Sequence, residues 1–260
     1  RPIKFQNLEL LPKLSYRELK YTFPTGPISH DDRRYIETDL SAKTSYSKIY
    51  GDFSSLQSER IKHEIQPEVS FTTIPWMENP HSAFFGRERD RETPLFTQDS
   101  ITDADLNGTA GLQYDYYDRV YDKKFITFAF TNKLTRKIWT EGAPTYQQFV
   151  TWKISQSYDV YVAEKNPYGQ PLSDLLSTLN INLDLIDINQ TAHFFPYQRV
   201  TNTSSRVRLK TKYGDYLQVT HNLDYKVTPG QEVDISKRNE DYIYAIKKRF
   251  SWLDIIGRFN

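Results

Sequence analysis

The sequence predicts an all-β protein, an antiparallel transmembrane β-barrel of the outer-membrane type that forms part of a larger barrel. Three observations carry that expectation. Apolar residues recur at every second position over long stretches, the mark of a strand with one apolar and one polar face. Several stretches reach or exceed the about 9–11 residues that a tilted membrane strand needs. Aromatic residues make up 15% of the chain, with 19 Tyr, 15 Phe and 4 Trp. These types favour strands, and Tyr and Trp also favour membrane–water interfaces.

Taken in order, Lys4–Leu11, Lys13–Phe23, Tyr35–Tyr50 and Ile61–Ile74 alternate weakly. Ile126, Phe128 and Phe130 then alternate with Thr127, Ala129 and Thr131. The strongest strand is Val150–Val162: Val150, Trp152, Ile154, Gln156, Tyr158, Val160 and Val162 share one side, and Thr151, Lys153, Ser155, Ser157, Asp159 and Tyr161 share the other. Leu179, Ile181, Leu183 and Leu185 continue the pattern, and a slip of phase to Ile186 and Ile188 predicts a bulge or bend. Val207 and Leu209 stand opposite Arg206, Arg208, Lys210 and Lys212, and Leu217, Val219, Leu223 and Tyr225 share a last face with His221. Turn signals separate these runs at Pro24-Thr25-Gly26-Pro27, Asn166-Pro167-Tyr168-Gly169, Tyr213-Gly214-Asp215 and Pro229-Gly230.

The pattern gives roughly eleven strands in antiparallel hairpins, in one region spanning residues 1–260, with a long loop at about 75–106. That loop holds the alternating-charge run Arg87–Glu92, which reads as a solvated segment. Short helical turns fit Asp99–Leu106 or Ser173–Leu176. Alternation alone does not separate a membrane barrel from a soluble β-sandwich or barrel, since both need one apolar face. Strand length favours the membrane, and Trp76, Tyr117, Tyr121, Trp139 and Tyr168 near strand ends suit an interfacial girdle.

Composition narrows the function. With 34 Lys plus Arg against 33 Asp plus Glu, the net charge is +1, and no nucleic-acid partner is expected of such a balance. The chain has no Cys, which removes thiolate metal sites and disulfides. No run of about 18 apolar residues predicts a transmembrane helix. The N-terminus, Arg1-Pro2-Ile3-Lys4, does not read as a signal peptide.

The stretch Arg60–Phe71, with His63, Ile65, Pro67, Val69 and Phe71, resembles the H-x-I-x-P-x-V/L-x-aromatic segment in the barrel of the LptD family of lipopolysaccharide-assembly outer-membrane proteins. Pro94–Asp99 and Tyr117–Val120 are similar to the family's P-x-F-D-x-x-D loop. Phe125–Arg136 resembles its T-x-G-L-T-N-R-L strand, Trp152–Asp159 its L-S-Q-x-Y-D, and Pro171–Leu175 its P-L-S-D-L. The order and spacing of these short motifs cover about residues 8–227. The resemblance implies a non-enzymatic role in the bacterial outer membrane: lipopolysaccharide is received from a periplasmic LptA-like bridge protein and released into the outer leaflet, with an LptE-like lipoprotein plugging the barrel. The family's N-terminal jellyroll domain and its cysteines are not found in this sequence.

In a barrel, Ile126, Phe128, Phe130, Val150, Trp152, Ile154, Tyr158 and Val160 are expected to face lipid. Arg206, Arg208, Lys210 and Lys212 then form a lumen-facing basic stripe, because charge on the lipid face costs about 2–4 kcal/mol per residue at midplane. Such a wall attracts the phosphates and acidic sugars of lipopolysaccharide; the plainer expectation is a wetted wall neutralised by acids such as Asp184 and Asp224. Asp103–Gly108 matches the first half of a calcium loop, but Tyr114 stands where a bidentate Glu belongs, so an ordinary turn is expected. The histidines show no metal spacing, and no cofactor is expected. Two readings from other classes stay open: a soluble β-rich carbohydrate-binding module, and a barrel hydrolase using His221-Asn222 or His81-Ser82. The sequons at Asn107, Asn189 and Asn202 read as coincidental.

Overall fold

Most of the alternating stretches become strand in the computed structural model, which describes residues 2–22, 30–51, 60–78, 124–140, 142–165, 169–227, 233–249 and 254–259. The elements are β1 (Ile3–Phe5), β2 (Leu8–Thr22), β3 (His30–Thr44), β4 (Tyr46–Gly51), β5 (Arg60–Glu78), β6 (Lys124–Thr140), β7 (Ala143–Asp159), helix α1 (Val160–Lys165), β8 (Leu175–Asn182), β9 (Ile186–Phe195), β10 (Val200–Lys210), β11 (Tyr216–Asp224), a 3₁₀ turn (Ile235–Lys237), β12 (Asn239–Arg249) and β13 (Asp254–Phe259). They form one thirteen-stranded antiparallel sheet in the order β1-β2-β3-β5-β6-β7-β8-β9-β10-β11-β12-β13, with β4 off that path against β5. The fold is therefore all-β, an up-and-down meander of hairpins.

Thirteen strands replace the roughly eleven expected, and the boundaries move for local reasons. Gln6 takes a positive φ of 49°, and the chain folds back there so that Ile3–Phe5 pair with Leu8–Leu10. Ser45 interrupts the expected strand Tyr35–Tyr50 and divides β3 from β4. β5 continues to Glu78, so Pro75–Glu78 belong to a strand and not to the expected loop. The long strand expected at Val150–Val162 ends at Asp159, whose carboxylate accepts the Val162 N–H at 3.1 Å and starts α1. Val160 accordingly sits on that helix and not on a strand face. The phase slip after Leu185 is a hairpin turn and not a bulge: Leu183 N–H donates to the Ile186 carbonyl at 2.8 Å, and β8 and β9 run antiparallel on either side. Lys212 is a further correction, since β10 stops at Lys210 and Lys212 lies in the turn Thr211–Asp215. That turn closes with Thr211 N–H to the Asp215 carbonyl (2.9 Å) and with Gly214 at φ 86°.

The chain divides into two compact units. One comprises residues 11–41 and 71–125. In its described part Tyr35 is buried, and Arg34 is ringed by Glu18 (3.2 Å), Glu78 (3.2 Å) and Asp32 (3.8 Å). The other comprises residues 2–10, 42–70 and 126–260. Within it, register lines up side chains across strands. One row runs Val150, Ile181, Ile188, Val207, Val219, Tyr244, and a second runs Ile186, Leu209, Leu217, Ile246. The opposite face of the same strands carries Asn180, Asn189, Arg206 and Thr220 in one row.

Among the described residues, only Tyr35 and Val200 are buried hydrophobics. Phe128, Phe130, Trp152, Val207, Leu209, Leu217, Tyr244 and Ile246 are all exposed. A soluble chain of this length would withdraw most of such surface into a core. Among the described residues, these side chains of the apolar face are left exposed.

Candidate functional site

The polar face of β8–β12 is built by period two and by tight hairpins. Arg206 and Arg208 stand two residues apart on β10, so both guanidiniums leave the same face. The turn centred on Tyr213 sets Arg208 opposite Gln218, and the turn between β9 and β10 sets Arg206 opposite Asn189.

Each guanidinium is then held along one edge by an amide oxygen. Arg206 donates from Nε to Asn189 Oδ1 at 3.1 Å and from a terminal nitrogen to the same oxygen. Arg208 donates from Nε (3.0 Å) and a terminal nitrogen (2.7 Å) to Gln218 Oε1. The amides are themselves oriented, because Asn189 Nδ2 donates to Asn180 Oδ1 (3.2 Å) and to the Ile188 carbonyl (3.0 Å), and Gln218 Nε2 donates to Thr220 Oγ1 (3.4 Å). Arg208 also lies over the Tyr216 ring, 4.7 Å from its centroid. A cavity of about 460 Å³ opens on this face, lined by Arg206, Asn189 and Gln218, by Thr191, Ser204 and Thr220, and by Ile243 and Ala245 of β12.

The basic stripe expected from the sequence is thus resolved into three different environments. Arg206 and Arg208 share the wall and have no carboxylate within ion-pair distance among the described residues. Lys210 pairs with Asp187 at 2.6 Å, and Lys212 is exposed in the turn. The acids expected to neutralise the stripe are engaged elsewhere: Asp184 takes Arg136 at 2.5 Å, and Asp224 accepts from Asn202. Sequence reasoning missed Asn189, Gln218, Tyr216 and Asp187, all of which follow from register. The Tyr213-Gly214-Asp215 turn signal would have found Gln218 by counting outward from Tyr213 on both strands. The β9–β10 turn carries no comparable signal.

The apolar face places the other expected residues. Phe128, Phe130 and Trp152 are exposed, Ile126, Val150, Ile154 and Tyr158 are half-buried, and the Trp152 indole N–H is satisfied by Ser177 Oγ at 3.0 Å. His221 lies on this face, stacked on Tyr242 with ring centroids 4.5 Å apart and Nε2 3.1 Å from Glu240. The side-chain partners of His63, His193 and His221 among the described residues are Asn132, Asp174 and Glu240, and not a serine or threonine hydroxyl. The pair His81-Ser82, the run Arg87–Glu92, the calcium-like segment Asp103–Gly108, the stretches Pro94–Asp99 and Tyr117–Val120, and the sequon at Asn107 lie outside the described residues. The amides of Asn189 and Asn202 are both committed to hydrogen bonds.

The four described stretches that carry the family resemblance meet in pairs. His63 and Gln66 on β5 contact Asn132 (3.2 Å) and Lys133 (2.9 Å) on β6. The end of β7 is bonded to the segment before β8: Ser173 N–H donates to the Ser157 carbonyl (2.8 Å), Ser157 N–H donates to Ser173 Oγ (2.9 Å), and Gln156 Nε2 reaches the Ser173 carbonyl (3.1 Å). No family model matches the chain, and no curated protein matches it in sequence.

Proposed function

We propose that this chain is part of an outer-membrane β-barrel related to LptD, which passes lipopolysaccharide to the outer leaflet of a bacterial outer membrane without acting as an enzyme. One observation carries the reading. Among the described residues, one face of the sheet leaves large apolar side chains exposed, and the opposite face gathers amides, hydroxyls and two arginines. A soluble module needs a core over Trp152 and its row, whereas Trp152 is 41% exposed. Hydrocarbon is the environment in which such a face is stable, because a strand pairs its backbone groups and turns only side chains outward.

The polar wall suits an amphipathic glycolipid, whose sugars and phosphates need donors while its acyl chains need none. Two contacts between motif positions, His63 with Asn132 and Gln156 with Ser173, agree with the link to LptD. An LptE-like lipoprotein plug and an LptA-like periplasmic bridge protein are the partners that this reading brings.

Two measurements test it. A variant retaining only Trp152 of the four tryptophans, folded into vesicles with brominated acyl chains, is expected to lose most of its fluorescence. Quenching by aqueous acrylamide with no effect of bromine would remove the membrane claim. A photo-crosslinking residue at Thr220 is expected to capture lipopolysaccharide, and one at Val207 membrane phospholipid. Absence of the adduct at position 220 would remove the transport claim.

A further inference from the structure

We infer that Arg206 and Arg208 form a discrete subsite for a phosphorylated sugar. The inference rests on the polar wall facing away from lipid and narrows its ligand. Both guanidiniums are clamped along the Nε edge by an amide oxygen, which leaves the edge made by the two terminal nitrogens available in each. Two parallel donors on each of two planar cations match a phosphate, which accepts bidentate bonds. The clamps are neutral, so the positive charge is not cancelled where it is presented. Asp187 stands opposite Arg208 in register but is taken by Lys210. Asp241, on the next strand beyond Asn222, accepts from Asn222 Nδ2 at 3.0 Å.

The cavity is lined by Arg206 and by Gln218, the amide that clamps Arg208, and it supplies what a sugar needs and a bare anion does not. Its volume, about 460 Å³, lies in the range of small-ligand sites. Thr191 and Thr220 line it with hydroxyl-bearing side chains, Ser204 lines it with its hydroxyl donating to Asn222 Oδ1 (2.7 Å), and Ile243 and Ala245 add apolar lining suited to a ring's C–H face. Lys210 takes no part, because its charge is spent on Asp187.

The test uses the full chain folded in detergent micelles and titrated calorimetrically with glucose 1-phosphate, inorganic phosphate and glucose. Glucose 1-phosphate is expected to bind most tightly, inorganic phosphate more weakly and glucose undetectably. R206Q and R208Q are each expected to weaken glucose 1-phosphate binding about tenfold, the worth of a charge-assisted bidentate contact, while K210Q leaves it unchanged. Q218A, which keeps every charge but frees Arg208, is expected to weaken it as well, and serves if an arginine variant does not fold. Equal loss in K210Q and R206Q, or no loss in R206Q, R208Q and Q218A, would overturn the subsite. Equal binding of inorganic phosphate and glucose 1-phosphate would overturn its sugar component. The bromine quenching of Trp152 is independent of these residues. Quenching without phosphate binding therefore sinks the subsite alone, and binding without quenching sinks the membrane reading alone.

Discussion

Strands β5, β6 and β7 run 19, 17 and 17 residues, whereas β8, β9, β10 and β11 run 8, 10, 11 and 9. At about 3.3 Å per residue the first group exceeds 50 Å and the second spans about 26–36 Å. Three of these four reach the about 9–11 residues of a tilted membrane strand, and β8 falls one short; on the proposed reading their turns mark where an apolar band ends. The long group overshoots. Its β6–β7 hairpin continues past the β8–β9 turn, and Arg136 bonds there to Gln147 of β7 (2.9 and 2.6 Å) and to Asp184 of that turn (2.5 Å). Beyond lie Lys137 over the Trp139 ring (4.7 Å) and the exposed Tyr146. On the proposed membrane reading, the short strands mark the apolar band, and the long strands carry polar and aromatic side chains past it.

The largest effect should come from breaking that assignment with a charge. V207R puts a cation in the middle of the short strands' apolar rows and is expected to destabilise the protein in vesicles by about 2–4 kcal/mol. Y146R places the same charge on the overshooting hairpin and is expected to cost about 0–1 kcal/mol. Urea unfolding of both in the same lipid measures the difference. Equal costs would mean that the two regions share one environment, and the comparison would lose its basis.

A smaller effect concerns the joint between the two groups. R136Q removes bonds to both Gln147 and Asp184, and a half-buried cation held by two acceptors is worth about 1–2 kcal/mol. Asp184 is 73% exposed on its side chain, so solvent screens it and D184N is expected to cost about 0–1 kcal/mol. In a double-mutant cycle the coupling should match the D184N value. A D184N cost above that of R136Q would show that the turn, and not the long hairpin, depends on the contact.

Much of this contrast was readable in the sequence, and what was not has a common cause. The faces of β6, β7, β10 and β11 follow from alternation alone, because a strand projects side chains with a fixed period of two. The β8–β9 turn was invisible because Leu183-Asp184-Leu185 continues an apolar alternation and contains no Gly, Pro or Asn. The end of β7 was missed because Val160 and Val162 keep the period, although Asp159 is a good helix cap. The polar wall was legible as a basic stripe but not as a site. Which acid or amide meets each cation depends on register, and a shift of one residue exchanges the faces. Asp184 and Asp224 therefore looked like partners, while Asp187, Asn189 and Gln218 hold those places.

The smallest effect belongs to the connection that returns the chain from β11 to β12. Asp234 accepts the Ser236 hydroxyl (2.6 Å) and N–H (3.1 Å) and pairs with Lys237 at 3.2 Å, closing the 3₁₀ turn. The Ser236 hydroxyl first, then Lys237 and the Ser236 N–H, hold this carboxyl below its usual pKa. A depressed pKa in the folded state means that the turn gains stability once the free carboxyl would ionise, and loses it as pH falls through the lowered value. The Ser236 amide should therefore keep its protection against hydrogen exchange at pH 5–6 and lose it below about pH 4, near the ordinary Asp value. D234N should abolish the pH dependence and leave V207R and R136Q costs unchanged, since the turn lies outside the rows that those residues occupy. Were D234N to lower stability in vesicles as much as R136Q, this connection would count among the structural joints of the sheet, and the short strands would be fixed at both ends and not only against the long hairpin.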